Sequence, residues 1–210
     1  MKASTVWEKL RIENKKIVTS DEVKDLAEKI GKDRERTLYY LLEEDYLTRL
    51  FRGVFYVKSL EERKRGIEKY SIYELIGMAL EEKEVERWYF GLETALKFNN
   101  MTHEYFNIDY ALTDSYRSIK VIEIMDQKFQ FFKRRKKNFL HGVKTKDNVK
   151  YSDPEKTVLD LIYRAYLNDE NNYTRYLKEF DEYIKNKELK KYLHDYSKSF
   201  RKKVTKELQK

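Results

Sequence analysis

Apolar side chains in the N-terminal part of the chain recur with the spacing of short amphipathic helices. The apolar stripes predict helices over 3–14, 21–30 and 34–45. Thr19 and Glu22 have the spacing of a capping box, in which each side chain accepts a hydrogen bond from the other residue's backbone at a helix start. The pattern therefore predicts three short helices in succession.

Two short extended runs follow the third helix, at 47–51 and 54–58, and Arg52-Gly53 lies between them. Glycine at such a position favours a tight hairpin turn. Three helices followed by a hairpin are the arrangement of a winged helix-turn-helix domain. In such domains the third helix usually enters the major groove of DNA.

The polar segment 59–70, which contains Gly66, has the composition of a linker. We therefore expect a winged helix-turn-helix DNA-binding domain over 1–66 and a C-terminal α/β domain over 67–210.

The second domain combines helical stripes with runs rich in Ile, Val, Phe and Tyr, which predict a mostly antiparallel sheet. Its strands are expected at 105–112, 119–125, 129–135 and 139–151, and its first two helices at 72–82 and 90–99. A further helix should start at a cap formed by Ser152, Pro154 and Glu155. The C-terminal tail is expected to be helical, and one of its helices is lined by Tyr192, Tyr196, Phe200, Val204 and Leu208. The expected fold class is α+β.

The composition excludes several kinds of site. The chain of 210 residues has no Cys, so it has neither disulfides nor a thiolate metal site, and its three His lack metal-binding spacing. We expect no metal and no cofactor. No stretch approaches the about 18 apolar residues of a membrane span, and the N-terminus lacks a signal-peptide run, so we expect a cytoplasmic protein without a membrane partner.

The formal net charge of +8 is concentrated in two segments. Residues 127–150 contain nine basic and one acidic residue, and residues 183–210 contain ten basic and three acidic residues. Such an excess attracts nucleic acid or acidic partners.

Cations and polar side chains on the third helix and the hairpin are candidates for contact with double-stranded DNA. Arg36 could read a guanine edge, and the other side chains could reach bases or phosphates. The alternative is a helix with solvated charges that serves protein contacts only. The candidates are Lys32, Arg34, Arg36, Thr37, Tyr40, Arg49 and Arg52.

A second basic contact is expected at the densest run of positive charge. This run could bind nucleic acid or an acidic partner, or it could be a solvated hairpin tip or sheet edge, where lysine blocks edge pairing. The run consists of Lys133, Arg134, Arg135, Lys136 and Lys137.

We find no phosphate-binding or nucleophile motif and expect a protein that is not an enzyme. Asp109 and Glu123, in candidate strands that we expect to be adjacent, have the residue types of a metal-dependent nuclease site. Position 125 is Met where such a site needs Lys. Two alternatives stay open: a nuclease-like enzyme with a degenerate site, and an RNA-binding protein that uses the basic segment 128–150.

Three stretches together resemble the AbiEi-type antitoxins of type IV toxin–antitoxin systems: LYYLLEEDYLTRLFRGVFYV at 38–57, WYFGLETALKF at 88–98 and SDPEKTVLDL at 152–161. The resemblance covers residues from about 15 to 166. It implies a regulator that represses its own operon from its own promoter. It also implies a nucleotidyltransferase toxin as functional partner, without a tight complex between the two proteins. Lys156 and Thr157 are then antitoxicity candidates, although Lys156 and Asp160 also have the spacing of a structural i, i+4 pair.

Overall fold

The computed structural model describes residues 3–209. These residues form two compact units. The first contains the residues up to Glu84 together with Ile124–Asp126, and the second contains Val85–Glu123 and the residues from Gln127 onward. Helices and strands occur in both units, so the fold is α+β.

In the first unit, the three helices and the hairpin lie where the sequence predicts them. Strand β3 pairs antiparallel with both β1 and β2, so the three-stranded sheet has the order β1-β3-β2. The elements are α1 (Ser4–Ile12), β1 (Ile17–Thr19), α2 (Ser20–Lys29), α3 (Arg34–Glu43), β2 (Leu47–Phe51), β3 (Val54–Val57), α4 (Leu60–Arg65) and α5 (Ile72–Glu82).

Capping hydrogen bonds between residues close in sequence define where helices α2 and α3 begin. The capping box of α2 is formed, because the Thr19 backbone N–H donates to Glu22 at 2.8 Å and the Glu22 N–H donates to the Thr19 hydroxyl. Asp33 caps α3 by accepting from the Arg36 backbone N–H at 2.8 Å. The helices then bury their apolar stripes against the hairpin, in a core that includes Trp7 and Phe55.

The segment 59–70 differs from the predicted linker, because it contains helix α4. Ser59 caps this helix and Gly66 ends it with a φ of 66°, in the left-handed region that favours glycine. Glu62 on α4 is buried, where it accepts a hydrogen bond of 2.6 Å from the Tyr56 hydroxyl of β3. This bond attaches the segment to the sheet, and the compact unit extends to Glu84 rather than to residue 66.

The second unit is built on a six-stranded sheet with the order β6-β7-β5-β4-β9-β8. Its elements are β4 (Trp88–Phe90), α6 (Leu92–Phe98), β5 (Asp109–Thr113), β6 (Ile122–Ile124), β7 (Gln127–Lys133), β8 (Val143–Lys146), β9 (Val149–Ser152), α7 (Pro154–Leu167), α8 (Arg175–Glu179), α9 (Asn186–Tyr192) and α10 (Lys198–Glu207).

The sheet contains both antiparallel and parallel pairs of strands. Strands β5 and β7 are parallel, as are β4 and β9, whereas β4 pairs antiparallel with β5 and β8 with β9. The run at 139–151, predicted as one strand, contains the hairpin β8–β9. Asp147 and Asn148 at its turn both have positive φ, as a two-residue turn of this kind requires.

Two predictions for the C-terminal part are wrong in detail. Ser152 ends β9, and Asp153 is the residue that caps α7, by accepting from the Lys156 N–H. The stripe from Tyr192 to Leu208 is not one helix, because α9 ends at Tyr192 and α10 starts after its own cap at Ser197. Its aromatic residues Tyr192, Tyr196 and Phe200 are nevertheless buried in the core against α7.

Replacement of Glu62 by Gln should destabilise the protein at neutral pH by about 1–3 kcal/mol, since charge-assisted hydrogen bonds are lost. Burial alone would raise the pKa of Glu62, but hydrogen bonds from Tyr56 and from backbone N–H groups lower it overall. The stabilisation is therefore complete above the ordinary carboxyl pKa and disappears as the pH falls through the lowered folded-state value.

Urea denaturation of wild type and Glu62→Gln between neutral and acidic pH measures this difference. Glu61→Gln, at an exposed position on the same helix, is the matched control and should change little. A difference between wild type and Glu62→Gln that stayed constant with pH would contradict the role of the charge.

Candidate functional site

Helix α3 presents an exposed face that carries Arg36, Tyr39, Tyr40 and Glu43. The Tyr39 side chain is 66% exposed and that of Tyr40 is 37% exposed. Arg36 takes part in no ion pair within residues 3–209, so its guanidinium is available to a ligand. Tyr39 is absent from the predicted site residues, although its large exposed ring occupies the same face.

Thr37 is the one predicted contact on α3 that the structure contradicts. Its side chain is 3% exposed and lies in line with Leu41, which is fully buried. Leu38 and Leu42 are only partly buried beside them. The buried face of the helix is therefore centred nearer Thr37 than the apolar pattern alone indicates, because a threonine methyl can pack as part of a core.

Most charges around the start of α3 are neutralised by neighbours. Arg34 forms ion pairs with Glu28 at 2.9 Å and Asp25 at 3.3 Å, and Lys24 pairs with Glu35 at 2.6 Å. Lys32 is partly buried. The carboxylate of Asp33 is used as the helix cap. The acidic residues near the helix start therefore have other partners, and the charge of Arg36 stays uncompensated.

The hairpin beside this helix carries two exposed arginines. Gly53 turns the chain with a φ of 76°, and Arg52 projects from the same turn. The Arg49 guanidinium lies 5.7 Å from the centre of the Phe55 ring, which limits its freedom while its charge stays exposed. Helix and hairpin thus offer three arginines, Arg36, Arg49 and Arg52, without carboxylate partners among the described residues.

The basic run at 133–137 is not a solvated hairpin tip. Lys133 ends β7 inside the sheet, and Lys137 donates to the Tyr196 carbonyl at 2.9 Å. Lys136 lies 3.7 Å from Glu86. Arg134 is partly buried against the rings of Phe132 and Tyr163, and Arg135 is exposed. The five basic side chains of this run therefore lie in different environments.

A buried polar cluster lies between α7, β4 and the segment before α10. The Lys156 ammonium donates to Asp160 at 2.9 Å and to the Tyr196 hydroxyl at 2.7 Å. The Tyr89 hydroxyl donates to the other oxygen of Asp160 at 2.8 Å. Burial lowers the pKa of Lys156, while the nearby carboxylate of Asp160 opposes that shift. Burial also raises the pKa values of Tyr89 and Tyr196 well above the ordinary value.

This geometry decides between the two interpretations of Lys156 and Thr157. Both side chains are completely buried, and Thr157 donates its hydroxyl hydrogen bond to the Asp153 carbonyl at 2.7 Å. Neither can touch a partner directly. The predicted i, i+4 pair of Lys156 and Asp160 is confirmed, and its role is structural.

The acidic pair considered as a nuclease site does not assemble. Strand β7 separates β5, which begins at Asp109, from β6, which contains Glu123. Asp109 is buried and forms a 2.6 Å ion pair with Lys97. Among the residues that the structure describes, no cluster of His, Asp and Glu is suited to hold a metal, and no helix has the length and apolar character needed to cross a membrane.

Replacement of Lys156 by Met should destabilise the protein by about 3–5 kcal/mol, because Asp160 is left buried without its cation. The double variant Lys156→Met/Asp160→Asn should lose less than the sum of the two single variants. Chemical denaturation of all four proteins measures the coupling.

Lys191→Met removes an exposed i, i+3 pair with Glu188 and serves as the control, with an expected loss below about 1 kcal/mol. A loss for Lys156→Met that was no larger than for this control would show that the buried pair contributes nothing to stability.

Comparison with known proteins shows similarity to a solved structure in fold only. No protein-family model matches this sequence, and no curated protein matches it. The crystal structure of the RV2827C protein from Mycobacterium tuberculosis is similar, with a TM-score of 0.58 and 11% sequence identity over 94% of this chain and 73% of the other. At that identity the likeness shows a shared fold and nothing about activity.

Proposed function

We propose that the protein is a DNA-binding transcriptional regulator whose first unit is a winged helix. The observation that carries the proposal is the exposed face of α3, where Arg36 is free of ion pairs, next to a hairpin that carries Arg49 and Arg52. The element order of three helices, with a three-stranded antiparallel sheet, is the arrangement that this class of domain requires.

In this proposal α3 lies in the major groove, which is wide enough to admit a helix. Arg36 donates two hydrogen bonds to a guanine edge, and Tyr40 reaches a base edge or a phosphate. Arg49 and Arg52 on the wing contact the sugar–phosphate backbone or the minor groove. Arg34 and Lys32 contribute less, because Arg34 is ion-paired and Lys32 is partly buried.

The ion pairs around α3 favour DNA over a protein ligand. Acidic residues near the groove would repel phosphates, but Glu28, Asp25 and Glu35 are paired with basic neighbours. Asp33 is engaged as the helix cap, and Glu43 and Glu44 lie at the C-terminal end of the helix. The N-terminal end, which points toward the DNA in such complexes, therefore keeps its positive charge.

We further propose that the regulator is the antitoxin of a type IV toxin–antitoxin pair, acting without enzyme activity of its own. The resemblance to AbiEi-type antitoxins rests on short motifs, and two of them meet in the second unit. Tyr89 belongs to one and Asp160 to the other, and the two side chains are hydrogen-bonded across 71 residues of sequence. This contact supports treating the two motifs as parts of one buried core.

Arg36→Ala and Arg52→Ala should weaken binding to the protein's own promoter in different ways. Loss of Arg36 should cost about 1–3 kcal/mol and relax the preference at one base pair. Loss of Arg52 should weaken all duplexes alike and reduce the salt dependence by about one counterion. Fluorescence anisotropy on promoter and scrambled duplexes at several salt concentrations measures both effects.

Arg175→Ala, which removes an exposed arginine from the second unit, is the matched control and should bind like wild type. Equal affinity of the wild-type protein for promoter and scrambled duplex would contradict specific recognition. Unchanged binding by a folded Arg36→Ala protein would show that α3 is not the reading helix.

The antitoxin role should survive loss of DNA binding. The double variant Arg36→Ala/Arg52→Ala, expressed from an unrelated promoter, should protect cells that express the nucleotidyltransferase encoded beside its gene as well as wild type does. Growth of co-expressing cells measures protection. Failure of the wild-type protein to protect would contradict the antitoxin role, and failure of the variant alone would contradict the separation of the two functions.

A further inference from the structure

The two most basic segments of the chain, far apart in sequence, flank one group of tyrosine rings in the second unit. The guanidinium carbon of Arg134 lies 5.6 Å from the centre of the Tyr163 ring. The Lys203 ammonium, on α10, lies 4.7 Å from the centre of the Tyr166 ring and 5.8 Å from that of Tyr173. Tyr163 and Tyr166 are themselves stacked, with 6.4 Å between ring centres and 20° between planes.

We call this group the tyrosine–cation surface; it consists of Arg134, Tyr163, Tyr166, Tyr173 and Lys203, together with Arg135, which follows Arg134 in the sequence. Its three rings are partly exposed, and Arg135 and Lys203 are exposed. Tyr163 and Tyr166 are held in place from below, because both pack against the buried ring of Phe200. The rings are therefore held in a fixed arrangement that stays partly accessible to solvent.

The cations of this surface are not neutralised within the part of the chain that the structure describes. Arg134, Arg135 and Lys203 form no ion pair there, in contrast to Lys136, which lies 3.7 Å from Glu86. The Nε of Arg134 is buried without a hydrogen-bond partner. Lys198, Lys202 and Lys206 extend the exposed positive charge along α10. Such an arrangement favours an anionic ligand.

The rings determine which anionic ligand fits best. An exposed cation–π contact contributes only about 0.5–1 kcal/mol, so the rings alone do not account for so many uncompensated charges. Single-stranded nucleic acid offers phosphates to the cations and flat base faces to the tyrosines, whereas a duplex hides its base faces and an acidic protein segment has none to offer.

We propose that the tyrosine–cation surface binds single-stranded nucleic acid, with Arg134, Arg135 and Lys203 on phosphates and the accessible parts of the tyrosine rings stacked against bases. This site is distinct from the proposed DNA-reading face of α3, and its existence does not depend on that face.

The test is fluorescence anisotropy of the full-length protein with labelled 12-mers of uridine and of thymidine. Arg135→Glu/Lys203→Glu should bind about tenfold more weakly than wild type at 0.1 M salt, since two phosphate contacts become repulsive. Binding of either 12-mer supports the proposal, and the 12-mer that binds more tightly shows whether the ligand is RNA or DNA. A 12-mer without bases should bind more weakly than both, because stacking is lost.

Lys144→Glu/Lys146→Glu is the matched control for the reversal of two charges, because both exposed lysines belong to the basic segment 127–150 but lie on β8 at the opposite edge of the sheet. It should bind like wild type, and so should Arg36→Ala/Arg52→Ala. Circular dichroism and thermal denaturation verify that each variant is folded.

The following outcomes would overturn the proposal: undiminished binding by Arg135→Glu/Lys203→Glu, an equal loss in Lys144→Glu/Lys146→Glu, equal affinity for the 12-mer without bases, and displacement by polyglutamate as effective as by an unlabelled 12-mer. The third would reduce the contact to charge alone, and the last would assign the surface to an acidic protein. Loss of single-strand binding only in Arg36→Ala/Arg52→Ala would assign that binding to α3.

Discussion

The fully buried charge of Lys156 is the constraint around which the second unit is arranged. An ammonium group removed from water must be compensated by a nearby carboxylate and by hydrogen-bond acceptors. Asp160, one helical turn away, and the Tyr196 hydroxyl provide this compensation. Asp160 is on α7 itself, whereas Tyr196 lies between α9 and α10. Because Tyr89 of β4 donates to the same carboxylate, the Lys156–Asp160 pair connects the sheet, α7 and the C-terminal segment.

Close packing around the start of α7 explains Gly142. A Cβ atom at this position would lie 2.5 Å from the Lys156 Cβ and 2.8 Å from the Tyr192 ring, and the φ of 74° is itself unfavourable for other residues. The backbone there passes directly over the start of α7. Asp153 completes this region, because it caps the helix and also accepts from the Tyr192 hydroxyl at 2.9 Å. Burial raises the pKa of Asp153.

The sequence predicts best what local chemistry decides. The capping box at Thr19, the glycine turn at Gly53 and the pair of Lys156 with Asp160 depend on residues close in sequence, and each is present in the structure. What the sequence misses depends on tertiary packing. Thr37 is buried because α3 packs with that side toward the core. The Tyr192–Leu208 stripe is not one helix, and Tyr196, which lies between α9 and α10, hydrogen-bonds Lys156. The strand at Trp88–Phe90 is an unbroken apolar run without the alternation that predicts strands.

The net charge alone does not show which cations can contact a ligand, because some of them form ion pairs within the protein. On α3 and the hairpin, Arg36, Arg49 and Arg52 are the cations without carboxylate partners among the described residues, whereas Arg34 is ion-paired, and this difference is the basis of the DNA-binding proposal. Protection of guanine N7 from dimethyl sulfate on the promoter duplex tests it most directly, because that atom lies in the major groove. We expect the wild-type protein to protect at least one guanine, and that guanine to react again with Arg36→Ala. Guanines that react equally with and without the wild-type protein would contradict it.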